Sequence, residues 1–317
     1  MRMKTNNKYA VEVEGIEKKF GSFVAVNKID FTVGKGEIFG FLGPNGAGKS
    51  TTIRMLCGIL APTSGKGHVG GYDIIQEQDR IKESIGYMSQ KFSLYNDLTV
   101  DENINFYSGI YRIPHEKRLE RKKWVLTMAG LDELRFNLTR TLSGGWKQRL
   151  ALGCAIIHEP RIVFLDEPTS GTDPISRRRF WELIQAMAKD GVTVFVTTHY
   201  MDEAENCDRI ALIYKGNIIA QGTPLALKTD SMKDQVLQVM VAEPESWLEK
   251  LRGVMHVKDT ALFGVAIHAV SDDAEVSLSG IQELFASSHV SQFSIAKIKP
   301  SLEDVFVSLI ENYDKAL

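Results

Sequence analysis

The chain has 317 residues, of which 44% are hydrophobic and 25% are charged, an average composition for a globular protein. Its 38 lysines and arginines against 40 acids leave a net charge of -2, so charge gives no support for nucleic-acid binding. The length exceeds that of an ordinary single domain and predicts two.

The three cysteines, Cys57, Cys154 and Cys207, are far apart and form no metal-binding or redox pattern, so we expect buried, reduced thiols. The opening residues "MRMKTNNKYA" lack the apolar core of a signal peptide. No apolar run approaches the ~20 residues of a membrane helix. We therefore expect a cytoplasmic protein whose contact with a membrane is made through a partner.

The first forty residues predict strands. "YAVEVEGI" (9–16) and "NKIDFTV" (27–33) alternate apolar and polar residues, as half-buried antiparallel strands do. "GEIFGFLG" (36–43) is more continuously apolar and is followed by a loop, with a helix predicted from Lys49.

The middle of the chain predicts a helical insertion of about 91–155, in which Thr99 and Glu102 have the spacing of a capping box. "RIVFLDEP" (161–168) and "VTVFVTTH" (192–199) are typical of buried parallel strands, with a helix predicted over about 177–189 between them. The sequence thus predicts a first domain over 1–228.

The remainder, 229–317, predicts a small α+β domain. "QVLQVMV" and "GVAIHAV" are typical of strands, whereas "PESWLEKLR", "VSLSGIQELFA" and "SLEDVFVSLIENY" are typical of helices. Two basic clusters, "EKRLERKK" (116–123) and "SRRRF" (176–180), are interpreted as exposed helix faces, with a docking or lipid-headgroup surface as the alternative.

The stretch "GPNGAGKST", Gly43 to Thr51, matches the phosphate-loop pattern G-x-x-x-x-G-K-[ST]. Its glycines allow successive N–H groups to point at phosphate oxygens, and the following helix adds its positive N-terminal end. Lys49 is suited to reach the β- and γ-phosphates, and the Ser50 hydroxyl to bind Mg²⁺.

An acidic pair follows the buried strand "IVFLDEP". Asp166 is the candidate Mg²⁺ ligand of such a site. Because adjacent residues on a strand project to opposite sides, Glu167 is expected to face the γ-phosphate and a water molecule, as a general base.

A third stretch, "LSGGWKQR" (142–149), opens with a glycine pair just upstream of "VFLDEP". Together with the phosphate loop it resembles the nucleotide-binding subunit of ATP-binding cassette (ABC) transporters over about residues 9–224. The resemblance implies a P-loop α/β fold with an N-terminal antiparallel β subdomain and an inserted helical subdomain.

The resemblance also implies site residues. Phe20 is expected to stack on adenine, Gln90 to sense the metal and water, Asp173 to lie at the dimer seam, and His199 to contact the γ-phosphate. The catalytic residues so implied are Lys49, Gln90, Glu167 and His199, and the metal ligands are Ser50, Gln90 and Asp166. The nucleotide-binding set is Phe20, Gly43, Pro44, Asn45, Gly46, Ala47, Gly48, Lys49, Ser50, Thr51, Ser143, Gly144, Gly145 and Asp173.

The implied mechanism sandwiches two ATP molecules, with Mg²⁺, between two subunits, each ATP held by one phosphate loop and the opposing signature helix. Ser143 suits the N-cap of that helix, whose first N–H groups are free for an anion. The tail "KPSLEDVFVSLIE" is similar to bacterial ABC-2-type exporter ATPases of the daunorubicin resistance group. This similarity implies a separate ABC-2-type permease and a position on the cytoplasmic face of the bacterial inner membrane.

Trp146, after the glycine pair, and Thr172, where leucine or valine is more usual, depart from the family pattern.

One alternative function is that of an ABC ATPase acting on ribosomes or DNA. A single cassette, no heptads, no cysteine pairs and near-neutral charge disfavour it. Another alternative, a regulatory cassette without hydrolysis, is disfavoured because Lys49, Asp166, Glu167 and His199 are all present.

Overall fold

The computed structural model describes residues 8–232 and 234–315 and divides into two compact units. The first unit ends at Gln221 and the second begins at Gly222. The predicted domain boundary at 228/229 would fall within a helix, Pro224–Asp230, of the second unit. The first seven residues, on which the expectation about a signal peptide partly rests, lie outside the described residues.

The first ten strands build two sheets. They are β1 Tyr9–Phe20, β2 Phe23–Gly34, β3 Ile38–Leu42, β4 Ser64–Val69, β5 Tyr72–Asp73, β6 Ile85–Met88, β7 Ile162–Asp166, β8 Thr193–Thr198, β9 Arg209–Tyr214 and β10 Asn217–Gly222. One sheet has the order β2-β1-β4-β5 and its mapped pairs are antiparallel. The other has the order β10-β9-β3-β8-β7-β6, with parallel pairing from β9 to β6.

These sheets confirm the predicted α/β class with an antiparallel subdomain. Every residue of β3, β7 and β8 is buried, which explains their unbroken apolar character. The core between the sheets is aromatic: Phe31 and Phe195 contact each other, and each also contacts the rings of Phe39 and Phe41. Parallel strands in this order place their carboxyl ends along one edge, where loops carry function.

Six α-helices belong to the first unit over its described part, residues 8–221. They are α1 Lys49–Leu56, α2 Gln78–Ser84, α3 Val100–Ile110, α4 His115–Ala129, α5 Gly144–Ile156 and α6 Pro174–Lys189. The predicted capping box of α3 is present, with Thr99 and Glu102 bonded reciprocally. Helix α6 begins three residues before its predicted start because Asp173 caps it and Pro174 occupies its first turn.

Helices α3, α4 and α5 share a separate apolar cluster and form the inserted helical subdomain. Of the basic clusters, "EKRLERKK" is largely exposed on α4, as expected. On α6, Arg178 and Arg179 are exposed but Arg177 is partly buried, because it lies on the helix face that also carries Trp181 and Ile184. The three cysteines are free and buried, which confirms that prediction.

The second unit is an α+β domain. Its elements are α7 Pro224–Asp230, β11 Gln235–Val241, α8 Leu248–Arg252, β12 Val257–Phe263, β13 Ala266–Ser271, α9 Ala274–Ser287, β14 Phe293–Ile298 and α10 Leu302–Lys315. The antiparallel sheet has the order β12-β13-β11-β14. Strands β12 and β14 were not predicted. The predicted helix "PESWLEKLR" is helical throughout, as a 3-10 turn, Pro244–Trp247, that continues directly into α8. Within the described ranges, none of the helices is long and apolar enough to cross a membrane.

Candidate functional site

The phosphate loop connects β3 to α1 and is held by close backbone contacts. A Cβ on Gly43 would lie 2.2 Å from the carbonyl oxygen of Ile213, and one on Gly48 would lie 2.5 Å from that of Ala25. Gly48 also has a φ of 111°, which favours glycine. Only glycine therefore fits at either end of the loop.

Lys49 is the first residue of α1 and is almost fully buried. Its ammonium donates to the carbonyl oxygens of Gly43 at 2.8 Å and Pro44 at 3.1 Å, and it lies 3.1 Å from Oε1 of Glu167. The phosphate loop and the acidic pair are thus joined through one side chain, which holds a positive charge inside the loop.

Asp166 ends β7 and accepts two hydrogen bonds on one carboxylate oxygen. Ser50 Oγ donates at 3.0 Å and Thr197 Oγ1 at 2.9 Å. Burial raises the pKa of Asp166, although both hydrogen bonds act in the opposite direction. A hydroxyl and a carboxylate side by side are oxygen donors of the kind that Mg²⁺ prefers, so Ser50 and Asp166 fit the predicted metal site.

Magnesium sites commonly use only one or two protein carboxylates and complete their coordination with phosphate and water. Over the described ranges, no group of three or more His, Cys, Asp or Glu residues could hold a metal. The Ser50–Asp166 pair thus has the donor chemistry of a site shared with a nucleotide.

Glu167 lies just beyond β7, and its partners differ from those of its neighbour. Its carboxylate receives the amide of Gln90 at 3.0 Å, and Nδ1 of His199 lies 3.4 Å from the same oxygen, Oε2. The separation from Asp166 was predicted, but strand alternation is not its cause. Glu167 has a φ of 47°, outside strand geometry, and its N–H donates to Thr197 Oγ1 at 2.9 Å.

Gln90 was predicted both as a catalytic residue and as a metal ligand. In the structure its amide nitrogen bonds to Glu167 rather than to Ser50 or Asp166. Gln90 follows β6 and His199 follows β8, so two strands on either side of β7 bring these side chains to the same carboxylate. The geometry unites Lys49, Gln90, Glu167 and His199.

The signature segment starts α5, with Ser143 at the predicted N-cap position but without a side-chain capping bond. Its two glycines have different surroundings. Gly144 is exposed, and a Cβ there would meet no atom within 4 Å. Gly145 is buried, and a Cβ there would lie 2.4 Å from Oγ of Ser176 on α6. The second glycine is therefore required by packing within this chain.

Trp146 packs inside the helical subdomain. The guanidinium carbon of Arg149 lies 3.7 Å from the centre of its indole ring, a cation–π contact. The ring edge would lie 3.6 Å from a Cβ on Gly130, the residue that ends α4. The bulky residue therefore fastens the start of α5 to the end of α4.

Asp173 caps α6 by accepting the backbone N–H of Ser176 at 2.9 Å. Thr172 donates from its hydroxyl to the carbonyl oxygen of Thr169 at 2.7 Å, a bond that leucine or valine could not make. Phe20 ends β1 and is half exposed, with the ammonium of Lys18 5.2 Å from its ring.

Three predicted regions, Phe20, the signature segment 143–145 and Asp173, stand apart from the Lys49–Glu167 cluster. No hydrogen bond or ion pair joins them to it within ranges 8–232 and 234–315. A residue that sequence reasoning missed is Thr197, which bonds to both Asp166 and Glu167. Its only sequence signal is a hydroxyl two residues before His199.

Comparison with known proteins places residues 26–170 in the ABC transporter family. The linearmycin resistance ATP-binding protein LnrL of Bacillus subtilis is 37% identical over 308 residues, which cover 94% of this chain and 97% of LnrL. The daunorubicin/doxorubicin resistance ATP-binding protein DrrA of Streptomyces peucetius is 36% identical over 316 residues, 97% of this chain and 94% of DrrA. YbhF of Escherichia coli, a probable multidrug ABC transporter ATP-binding protein, is 50% identical over 231 residues, but the match spans only 40% of its length.

Solved structures agree with these relatives. The cbiO1 protein of Clostridium perfringens, part of the ABC transporter complex cbiONQ, covers 71% of this chain and 92% of its own, with 29% identity and a TM-score of 0.65. The structure of a dimeric ATP-binding cassette in a post-hydrolysis state, bound to ADP and Pi, matches 67% of this chain and 98% of the cassette, with 27% identity and a TM-score of 0.61. The chain belongs to the ATP-binding proteins of the ABC transporter family.

Proposed function

We propose that this protein is the ATP-hydrolysing motor subunit of an exporter, in which two chains enclose ATP and drive a separate membrane permease. The observation that carries the proposal is the convergence of Lys49, Gln90 and His199 on the carboxylate of Glu167, beside the Ser50–Asp166 pair. Such a cluster of charged and polar groups, at the carboxyl edge of a parallel sheet, is suited to phosphoryl transfer.

In this proposal Glu167 orients a water molecule and accepts its proton as the water oxygen bonds to the γ-phosphorus. The bond between that phosphorus and the ADP oxygen breaks, so ATP and water give ADP and phosphate. Lys49 exchanges Glu167 for phosphate oxygens when ATP enters the loop. Ser50 and Asp166 would hold Mg²⁺, which neutralises phosphate charge when bound.

The signature segment supports a site shared between chains. Ser143 and Gly144 are exposed at the N-terminus of α5, where free N–H groups favour an anion. Among the described residues, no hydrogen bond or ion pair joins either of them to the phosphate loop of their own chain. We infer that they bind the γ-phosphate held by a second subunit, and that Phe20 stacks on the adenine of its own site.

The relatives' names supply the direction of transport. LnrL and DrrA are named for resistance to linearmycin and daunorubicin, and two Nod factor export ATP-binding proteins of Rhizobium match over 97% and 94% of their length. By likeness we propose export through an ABC-2-type permease, with this subunit peripheral on the cytoplasmic face of the inner membrane.

A complementation experiment tests the shared site. Lys49→Ala removes the phosphate-loop cation but keeps the signature segment, whereas Ser143→Arg blocks the signature segment but keeps the phosphate loop. Each variant alone should hydrolyse ATP far more slowly than the wild type. Their mixture should recover activity, because a mixed dimer has one intact site, and the recovery should grow with protein concentration.

No recovery in a mixture shown to form mixed dimers would contradict the shared site, as would full activity of Ser143→Arg alone. Arg178→Ala, a change at an exposed position outside the cluster, is the control. For the exporter itself, the protein is purified from its own cells in mild detergent. Co-purification with ribosomes or DNA, in place of a membrane permease, would contradict export.

A further inference from the structure

Arg177, on the first turn of α6, makes contacts that no sequence motif indicates. Its guanidinium carbon lies 4.2 Å from the centre of the Tyr200 ring. Its Nε lies 3.5 Å from Oε1 of Glu203, and its NH1 atom lies 3.5 Å from a carboxylate oxygen of Asp202. With a side chain only 22% exposed, Arg177 is held between an aromatic face and two acids.

Tyr200 follows His199 directly and carries this contact to the proposed active site. The centres of the two rings are 4.1 Å apart, with an interplanar angle of 38°. The backbone N–H of Tyr200 donates to Thr198 Oγ1 at 3.0 Å, which fixes the turn after β8. The ring of Tyr200 therefore has the His199 imidazole and the Arg177 guanidinium as close neighbours.

Glu203 is by far the more buried of the two acids beside Arg177. Its side chain is 2% exposed, and its carboxylate accepts a hydrogen bond from the hydroxyl of Thr169. Thr169 lies two residues after Glu167, in the turn that leaves β7. One buried carboxylate thus links Arg177 to the loop that carries the proposed general base.

The helix that carries Arg177 starts at the proposed dimer seam. The N–H of Arg177 donates to the carbonyl oxygen of Asp173 at 2.9 Å. Arg178 is a neighbour with the same charge but a different environment: its side chain is 85% exposed and pairs only with Glu182 among the contacts described. The chain therefore offers a matched control one residue away.

We propose that Arg177 is a positioning residue for His199. Through the ring of Tyr200, and held beside Glu203, Arg177 sets the orientation of His199 and couples this side chain to the proposed dimer seam at Asp173. This inference rests on the proposed function. Arg177 touches neither nucleotide nor water in this role. Its removal should therefore lower turnover and leave the affinity for ATP in place.

The first measurement is steady-state ATP hydrolysis by the full chain. Arg177→Ala and Tyr200→Ala should each lower kcat about tenfold or more, because a small misplacement of a catalytic group has a cost of this size. The KM for ATP should stay within about twofold of the wild type. Tyr200→Phe, which keeps the ring, should retain most of the activity, and Arg178→Ala should match the wild type.

The second measurement does not depend on activity. The chain has seven histidines, so the ring signals of ¹⁵N-histidine-labelled protein are few, and His199→Gln identifies the signal of His199. Arg177→Ala and Tyr200→Ala should both shift this signal, while Arg178→Ala should leave it in place. The kcat of the double variant should be no lower than that of the less active single variant, since both changes break one chain of contacts.

The proposal is overturned if the His199 signal is unmoved in Arg177→Ala, or if kcat in that variant equals that of Arg178→Ala. It is also overturned if the two losses multiply in the double variant. A wild type that hydrolyses no ATP would contradict the proposed function instead, and the histidine spectra would then decide alone whether Arg177 positions His199.

Discussion

Two buried acid–base pairs, one in each unit, show two uses of the same chemistry. In the first unit Lys49 and Glu167 are 3.1 Å apart, with side chains 4% and 6% exposed. In the second, His268 and Asp304 are 2.9 Å apart, with side chains 5% and 4% exposed. Burial and separation are nearly equal, so the difference lies in what surrounds each pair.

Asp304 is fully engaged by its own domain. Its second oxygen accepts hydrogen bonds from the N–H and the hydroxyl of Ser301, which immediately precedes α10, and the centres of the stacked Phe263 and His268 rings are 4.1 Å apart. Glu167, by contrast, meets the amide of the exposed Gln90 and the partly exposed ring of His199. The side chains of Asp304's partner His268 and of Asp304 itself are both buried, whereas two of the three side-chain partners of Glu167, Gln90 and His199, are exposed or partly exposed.

We therefore expect the His268–Asp304 pair, which is enclosed by its own domain, to contribute to stability, and the Lys49–Glu167 pair, which has solvent-exposed neighbours, to contribute to chemistry. Buried ion pairs are in general weak evidence of stability, because desolvation opposes their attraction. This difference between the two pairs can be tested by changing one acid at a time and measuring both the ATP turnover and the free energy of unfolding.

Glu167→Gln should have the largest effect, and on turnover. Loss of the general base should lower kcat about a thousandfold, with ATP binding retained and a stable ATP-bound dimer accumulating. The free energy of unfolding should change by less than about 1 kcal/mol. The Lys49 ammonium keeps its hydrogen bonds to the carbonyl oxygens of Gly43 and Pro44, and Gln90 can turn its amide to bond to the new side chain. Single-turnover kinetics and size-exclusion chromatography with ATP measure this; residual wild-type turnover would remove Glu167 as the base.

Asp304→Asn should act on stability alone. It should destabilise the second unit by about 3 kcal/mol at neutral pH, because one oxygen acceptor is replaced by an amide that faces donors. Hydrogen exchange in β13 and α10 measures the loss. A drop in stability confined to the first unit would contradict this assignment.

The pH dependence of the second pair has a definite sign. Burial alone raises the pKa of Asp304, but hydrogen bonds from His268 and Ser301 outweigh it, so the pKa lies below its ordinary value of 3.8. The carboxylate is thus favoured in the folded state, and its stabilising contribution is present above pH 3.8 and lost as the pH falls further. Asp304→Asn should remove this acid-induced loss.

Ser301→Ala should have the smallest effect on stability, and it separates the contribution of the helix-capping hydroxyl from that of the His268–Asp304 pair. It removes a neighbour of Asp304 without breaking the pair with His268, and loss of such a helix-capping hydroxyl costs about 1 kcal/mol. Thermal unfolding of the full chain measures the change. A loss as large as that of Asp304→Asn would show that the cap, rather than the pair, stabilises α10.

The chemistry of the site could be predicted from sequence, because Gly43, Lys49 and Asp166 lie in short segments whose residue types follow from phosphate and metal binding. The contacts of Arg177 with Tyr200 and of Gly145 with Ser176 could not, because they join segments that only the packing of α5 and α6 brings together. The family resemblance implies that Gly145 serves a ligand, and the structure adds a second reason for a glycine there, its close neighbour Ser176 in the same chain.

The second unit was predicted less completely. Strand β14 has Phe293 and Ala296 exposed and pairs on one side only, with β11, so its sequence lacks the alternation that marks a half-buried strand. Both outcomes depend on the alternation of apolar and polar residues. The N-terminal strands have it, because one face packs on the core, and they were predicted, whereas β14 lacks it and was missed.

The attachment of α5 has a mechanical consequence. Trp146 and Arg149 fasten the helix to the end of α4, while one residue earlier Gly145 rests against α6 with no room for a side chain. The first turn of α5 is therefore packed against a neighbouring helix on two sides, and Ser143 and Gly144 are exposed at its N-terminal end. A rotation of the helical subdomain that carries α5 with it should therefore displace Ser143 and Gly144 as well, because the first turn of the helix is closely packed.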